Sequence, residues 1–321
     1  FVPLIIALSQ SESDQRLTDF DGLQVLEINC RKLFSLASAI WCIRRAIINH
    51  NPDFIHGWMY AGNILASILG LGIGCSIFHS LRASNMDSRR YGLIMRINAF
   101  LSKYADLVIA NSHSGAKHHV ANGFSPVNMI VIPNGIDVKK FFPDRKSGAI
   151  IRRELAVKNG SRLVLYAARV DPMKGHKIVI SVAELCPDIN FVFVGKGTEF
   201  LDVPKNVLVL GVRNDMQQIY NACDWVLNIS KFGEGFPNVI GEAMACGIPV
   251  LANDVGDSWQ IIESTGFRLK SNEIGSLSAE VKKVVHAPVS AATKSDIRLR
   301  VAEQYSVDAM AARYIDEYLR G

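Results

Sequence analysis

Two stretches of the chain carry side chains whose types and spacing could act on a polyanion. The first is Gly233-Glu234-Gly235-Phe236-Pro237-Asn238-Val239-Ile240-Gly241-Glu242, in which two carboxylates flank a glycine-rich approach to an apolar, helix-forming run. Gly233 and Gly235 permit left-handed backbone and close approach of a ligand. Pro237 suits a first helical turn. The N–H groups of such a turn, with the helix dipole, attract an anion. Glu242 stands about one turn further along, where a carboxylate can accept hydrogen bonds from ribose hydroxyls, and Glu234 stands in the loop, within reach of a sugar. The second stretch is Arg169-Val170-Asp171-Pro172-Met173-Lys174-Gly175, directly after the apolar run Leu163–Ala167. Arginine offers a planar fork and lysine a point charge, so the two can converge on one diphosphate. Each charge-assisted bond is worth about 1.5–3 kcal/mol. That energy accelerates chemistry most where negative charge builds on a departing group. Taken singly, an Arg/Lys pair is usually a solvated surface and Glu242 an exposed helical residue. It is their joint occurrence that points to a site.

The elements that must position these groups follow from alternation of short apolar runs with helix-length amphipathic segments, which argues for parallel sheets with crossover helices. Strands are expected at Val25–Ile28, Phe54–His56, Cys75–Phe78, Leu107–Ala110 and Met129–Ile132, then at Leu163–Ala167, Phe191–Val194, Val207–Leu210, Trp225–Ile229 and Val250–Ala252. Helices are expected near Leu33–Ile48, Gly62–Leu69, Arg89–Tyr104, Ser114–Asn122, Lys177–Leu185, Met216–Asn221, Asn238–Cys246, Ile274–His286 and Ala309–Leu319. A length of 321 residues fits two domains of roughly 150 residues each. Pro133-Asn134-Gly135 stops a strand and the polar stretch Pro143–Gly148 follows, so the boundary is placed at residue 143, giving domains 1–143 and 144–321.

Composition excludes several classes. The formal charge of +5 is mild and unaccompanied by a basic block, which speaks against a nucleic-acid surface. It suits an anionic substrate or acidic lipid headgroups. The six cysteines are scattered, with no CxxC or Cys/His cluster, so neither a zinc site nor a disulfide framework is expected and a reducing cytoplasm is the default. Ala61–Phe78 has no charge, but Gly70, Gly72 and Gly74 interrupt it. It reads as a buried helix, a turn and a buried strand and not as a membrane span.

The two motifs together, with the spacing Glu234-x7-Glu242, resemble glycosyltransferase family 4, whose members are retaining enzymes of the GT-B fold, two Rossmann-like domains around a cleft. Asp106-Leu-Val-Ile-Ala-Asn-Ser112, Val131-Ile-Pro-Asn-Gly-Ile-Asp137, Val194-Gly-Lys-Gly197 and Asn253-Asp254-Val-Gly-Asp257 are similar to further family segments, in family order. The resemblance implies a nucleotide-sugar donor, UDP- or GDP-linked, and a carbohydrate or lipid-linked carbohydrate acceptor, with no metal or other cofactor. Arg169 and Lys174 would hold the donor diphosphate, Gly235, Phe236, Pro237 and Asn238 would form its approach, Glu242 would bind the ribose and Glu234 the donor sugar. The Asp254–Ser258 loop would close on that sugar. The last helix would cross back to the first domain. A polysaccharide-pathway subgroup is the nearest likeness, which implies bacterial surface-polysaccharide assembly in the cytoplasm, with peripheral contact to the inner membrane.

The chain departs from the family pattern at its start, where Phe1–Ser9 resembles the family's second strand, so a preceding strand–loop–helix is expected to be missing. His79 occupies a place where the family often has a functional histidine and is a candidate catalytic residue lining the cleft. Arg82 is a weaker candidate, in a run where the subgroup carries a histidine at the position of Ala83. Asp19-Phe20-Asp21 looks like a metal-binding DxD but lies in a polar loop remote from the other motifs, and Gly195-x-Gly197 lacks the third glycine of a dinucleotide fingerprint, Phe200 standing in its place. Two other functions fit the same residues: a non-catalytic nucleotide-sugar-binding module, and a sugar-nucleotide epimerase, which would need extra carboxylate and His groups beside the sugar.

Overall fold

Strands buried on both faces read as unbroken apolar runs, and the runs seen in the sequence become parallel strands. The computed structural model describes residues 2–7, 24–27, 33–82, 88–271 and 273–320. In the first half these include strands β1 (Leu4–Ala7), β2 (Gln24–Glu27), β3 (Phe54–Trp58), β4 (Ser76–Leu81), β5 (Leu107–Ala110) and β6 (Met129–Val131). With them are helices α1 (Leu33–His50), α2 (Met59–Gly70), α3 (Ser88–Leu101) and α4 (His113–Ala121). The second half has strands β7 (Leu163–Ala167), β8 (Asn190–Val194), β9 (Val207–Val209), β10 (Trp225–Asn228), β11 (Val250–Ala252) and β12 (Phe267–Arg268). Its helices are α5 (Arg145–Glu154), α6 (His176–Leu185), α7 (Met216–Ala222), α8 (Asn238–Ala245), α9 (Ser258–Ile262), α10 (Ile274–His286), α11 (Ala291–Gln304) and α12 (Val307–Arg320). The Asp19-Phe20-Asp21 triplet and the run Ala83-Ser84-Asn85 lie outside the described residues.

The second sheet runs β12-β11-β10-β7-β8-β9, all pairs parallel. In chain order this is the doubly wound arrangement of a Rossmann domain, with the reversal of strand order between β7 and β10. Leu163, Val164 and Leu165 on β7 and Phe191, Val192 and Phe193 on β8 have no solvent exposure, because helices cover both faces. The first half has a parallel sheet β3-β4-β5-β6 and a parallel pair β1-β2. Ala61–Phe78 folds as expected into α2, a turn whose Gly72 and Gly74 have φ of 75° and 79°, and β4. Among the described residues no helix is long and apolar enough to cross a membrane.

Four elements, α5, α9, β12 and α11, are absent from the sequence reading. The stretch Pro143–Gly148, expected to be a linker, is already the start of α5: the Asp144 carboxylate accepts from Lys146 N and Ser147 N at 3.0 and 3.2 Å and caps the helix. Helix α11 was not expected, since Ile297 and Val301 are its only buried residues and leave little periodicity to read. After α11 the chain returns to the first domain. Ile136 N donates to Tyr305 O at 2.7 Å, Val307 N donates to Ile136 O at 3.0 Å, and Tyr314 of α12 packs with Ile109 and Ile132.

The first domain also buries His79 and His119 and half-buries His56. His79 is fully enclosed, with Nε2 on Ser67 Oγ at 2.8 Å, and burial lowers its pKa to about 4. Burial does the same to His119, also to about 4, and to His56, to about 3, where the Arg82 charge adds to the effect. A histidine whose folded pKa is depressed contributes stability that is complete above its unfolded pKa of 6.5 and is lost as pH falls toward the folded value. Between pH 7 and 5 a depression to about 4 is worth about 2 kcal/mol per histidine. Urea unfolding at those two pH values should therefore show a large acid loss, and His79→Gln should reduce it by about 2 kcal/mol. An unchanged pH dependence in that variant would contradict the neutral, buried histidine.

Candidate active site

Both chemical motifs emerge at the carboxyl ends of β7 and β10, the two strands that flank the reversal of strand order. In doubly wound sheets the crevice outside that point is where ligands bind. The two loops are stitched together by backbone: Gly175 N donates to Ile229 O at 3.0 Å and Lys231 N to Met173 O at 2.7 Å, with Lys174 bridged to Ser230. Gly175 is required there, since a Cβ would stand 2.8 Å from the Ile229 side chain and 3.0 Å from its carbonyl.

That stitching brings Lys174 and Glu234 together. Lys174 Nζ is ion-paired with Glu234 Oε1, and Ser230 Oγ donates to the same oxygen at 2.5 Å. The side chains are only 18% and 8% exposed. Removing one partner of such a pair strands a buried charge, at a cost of about 3–5 kcal/mol. Asn253, from the loop after β11, braces Ser230 from the other side, accepting from its N–H at 3.1 Å and donating to its carbonyl at 2.7 Å.

Arg169 lies on the same loop, largely exposed, with Nε and one terminal nitrogen 3.3 and 3.1 Å from Asp171 Oδ2. Asp171 also accepts from Met173 N, and that hydrogen bond, followed by those from Arg169, holds its pKa below the ordinary carboxylate value. Glu242 faces Tyr220, whose hydroxyl donates to Oε2 at 2.7 Å. Burial raises the Glu242 pKa, with the Tyr220 hydrogen bond and the Lys140 charge opposing. The four charged side chains thus stand on two adjoining loops and the helix that follows, but only Lys174 and Glu234 touch; Arg169 and Glu242 have partners of their own.

The remaining expected site residues divide. Pro237 is the residue just before α8 and not part of its first turn, with Asn238 opening the helix and exposed. Phe236 is buried against Tyr305, with ring centroids 5.4 Å apart, so it anchors the loop in the core and does not line a ligand surface. Gly235 lies against the first domain: a Cβ there would stand 3.1 Å from Ser112 Oγ and 3.3 Å from Asn111 Oδ1. His79 does not line the cleft. Its side chain points between β4 and α2 toward Ser67 and is shut off from solvent.

What the sequence reading missed is the seam. Asp257, from the loop after β11, reaches the first domain and caps α4, accepting from His113 N and Ser114 N at 2.7 and 2.8 Å. Gly256 makes this approach possible: its φ is 67° and a Cβ would stand 2.6 Å from Glu234 O. Asn134 Nδ2 donates to Asn238 Oδ1 at 2.9 Å, a second link between the domains. Beside the Asp257 cap is an open hollow of about 410 Å³, lined from the first domain by His113, Ser114 and Lys117 and from the second by residues including Asp254, Trp259 and Gln260. It does not include Arg169, Lys174 or Glu242. Among the described residues no group of three His, Cys, Asp or Glu side chains is placed to hold a metal ion.

Residues 5–140 match the family model described as Glycosyltransferase Family 4, and residues 148–300 match the model described as Glycosyl transferases group 1. The chain belongs to glycosyltransferase family 4. This family 4 chain superposes on the crystal structure of HepE from Anabaena in complex with UDP with a TM-score of 0.87 at 22% identity, over 99% of this chain and 92% of that one, which shows the GT-B fold. The Escherichia coli UDP-Gal:alpha-D-GlcNAc-diphosphoundecaprenol alpha-1,3-galactosyltransferase is 28% identical over 213 residues, 60% of this chain and 55% of the relative. The chain therefore spans little more than half of that relative. The Campylobacter jejuni N,N'-diacetylbacillosaminyl-diphospho-undecaprenol alpha-1,3-N-acetylgalactosaminyltransferase is 26% identical over 346 residues, 99% of this chain and 91% of the relative.

In this family 4 chain the Asp257 cap predicts a measurable stability. Asp257→Ala should cost about 1.5–3 kcal/mol, the range for hydrogen bonds to a charged group, read as a lower midpoint in urea. Wild-type stability in the variant would mean that the two α4 amides are satisfied equally well by water.

Proposed function

We propose that this chain transfers a glycosyl group from a nucleoside diphosphate sugar to a carbohydrate or lipid-linked carbohydrate acceptor, with retention of configuration and without a metal ion. In this reading residues 144–321 hold the donor and residues 1–143 the acceptor. The observation that carries it is the joining of Lys174 and Glu234 at the crevice between β7 and β10, with Arg169 on the same loop and the N-terminus of α8 close behind. Two cations and a helix N-terminus suit a diphosphate. The printed names of the E. coli and C. jejuni relatives both specify a diphospho-linked polyprenol acceptor, and the former names UDP-Gal as donor.

In the proposed reaction the glycosidic C–O bond breaks with its electron pair leaving on the donor's distal phosphate. The acceptor oxygen forms the new bond from the same face, and its proton passes to that phosphate oxygen. Arg169 and Lys174 offset the charge that grows on the departing diphosphate, Glu242 accepts from ribose hydroxyls, and Glu234 holds Lys174 in place and borders the sugar. The same reading sets the enzyme at the cytoplasmic face of a membrane in surface-polysaccharide assembly. Its support is the outer face of α3, where Leu93, Ile97 and Phe100 recur at helical spacing and are exposed, with Tyr104 just beyond and the basic residues Arg96 and Lys103 nearby.

A panel of nucleotide sugars in a thermal-shift assay tests the donor site. One or two UDP- or GDP-sugars should stabilise the wild type, and Arg169→Ala, an exposed change that spares the core, should abolish the shift. Turnover should fall about 10²–10³-fold, the loss expected for removing one charge-stabilising donor. A shift that survives in Arg169→Ala would refute the assignment. For the membrane face, co-sedimentation with anionic phosphatidylglycerol vesicles should be lost in a Leu93→Asp/Phe100→Asp variant, and retention of binding would remove α3 from the reading.

A further inference from the structure

Each of the four strands β3 to β6 delivers a polar or aromatic side chain at or just past its carboxyl end: Trp58, Arg82, Asn111 and Asn134. They form one array. The Arg82 guanidinium lies over the Trp58 ring, 4.3 Å from its centroid, and donates to Asn134 Oδ1 at 2.7 Å and to Tyr314 OH at 3.1 Å. Asn111 Nδ2 shares Asn134 Oδ1 at 3.3 Å, and Asn134 passes the chain on to the exposed Asn238 at the start of α8. Arg82 is half-buried, and among the described residues no carboxylate is within ion-pair distance of it. Other described arginines that lose much of their solvent either have an acid or spend the fork on backbone carbonyls, as Arg152 and Arg298 do. Arg82 instead has two neutral oxygens, a poor match for a desolvated cation. Burial lowers its pKa, opposed by Tyr314 and Tyr318. Met59, next to Trp58 and 40% exposed, has φ of 62°, a left-handed conformation that costs backbone energy for a side chain of this size.

We propose that Arg82, with Trp58 and Asn134, forms a phosphoryl-binding subsite in the first domain that takes the diphosphate of a glycosyl acceptor. This rests on the glycosyl-transfer reading above and names the acceptor class. The anion supplies the counter-charge that the guanidinium lacks, and the half-exposed Trp58 ring borders the sugar or lipid attached to it. Both the donor and the acceptor can bring a diphosphate to this cleft, so the test separates them.

Binding of decyl diphosphate to the full chain, in the presence of saturating UDP, is measured for wild type, Arg82→Gln and Arg82→Lys, with octyl glucoside as the uncharged amphiphile. Decyl diphosphate should bind the wild type and weaken at least tenfold in Arg82→Gln, with partial recovery in Arg82→Lys. UDP affinity and octyl glucoside binding should be the same in all three. Equal weakening of octyl glucoside would reduce Arg82 to a structural brace, and loss of UDP binding in Arg82→Gln would move it to the donor site. No difference between the variants would end the proposal. Failure of the wild type to bind UDP would sink the donor reading instead, with decyl diphosphate titrated alone still deciding the role of Arg82.

Discussion

The geometry of the second domain depends on one buried ion pair. Lys174 and Glu234 belong to loops sixty residues apart, and neither loop has regular structure of its own to fix it. The backbone bonds between residues 173–175 and 229–231 set the loops side by side, and the pair, with the Ser230 hydroxyl, closes the join. Desolvating two charges is expensive, and a buried pair often contributes no more than well-packed apolar groups would. The arrangement makes better sense as preorganisation. The lysine is held in one orientation at the mouth of the crevice, so a diphosphate arriving there meets a charge whose side-chain entropy is already spent.

The same loop also governs how the domains meet. Glu234 is followed by Gly235, which presses on Asn111 and Ser112, and its carbonyl lies under Gly256. Next to Gly256, Asp257 caps α4 across the seam, while Ser112 caps the same helix from its own chain neighbourhood through Gly115 N. Of the otherwise orphan donors at this helix N-terminus, the His113 and Ser114 amides are satisfied from the other domain and the Gly115 amide from within its own. Any displacement of the domains at this edge exposes the His113 and Ser114 amides, while α12 is attached both by apolar packing on Ile109 and Ile132 and by hydrogen bonds that join its Tyr314 and Tyr318 hydroxyls to Arg82 and His56.

Much of this was legible in the sequence because the signal is local. Buried parallel strands such as Leu163–Ala167 announce themselves as apolar runs, and amphipathic helices such as Ile274–His286 as a period. Arg169, Lys174, Glu234 and Glu242 could be singled out because glycine and proline spacing around them implies particular backbone. What could not be read depends on pairs distant along the chain. Asp257 and His113 are 144 positions apart and Asn134 and Asn238 are 104 apart, and nothing at either end marks the other. Phe236 packs its ring into the core against Tyr305, a contact with a residue far along the chain that its motif does not announce. His79 was misread because a strand alternates its faces, and one residue decides between cleft and core. Asp144 was readable in principle, as an acid ahead of a basic helical turn, but the polar composition around it suggested a linker.

Asn134 has a position that neither domain would explain alone. Its carbonyl oxygen accepts from Arg82 and Asn111, and its amide nitrogen donates to Asn238, the first residue of the helix whose N-terminus faces the donor crevice. A primary amide is planar, so a rotation that improves one set of bonds must disturb the other. Hydrogen bonds of 2.7 and 2.9 Å on its two sides tie this single side chain to both domains.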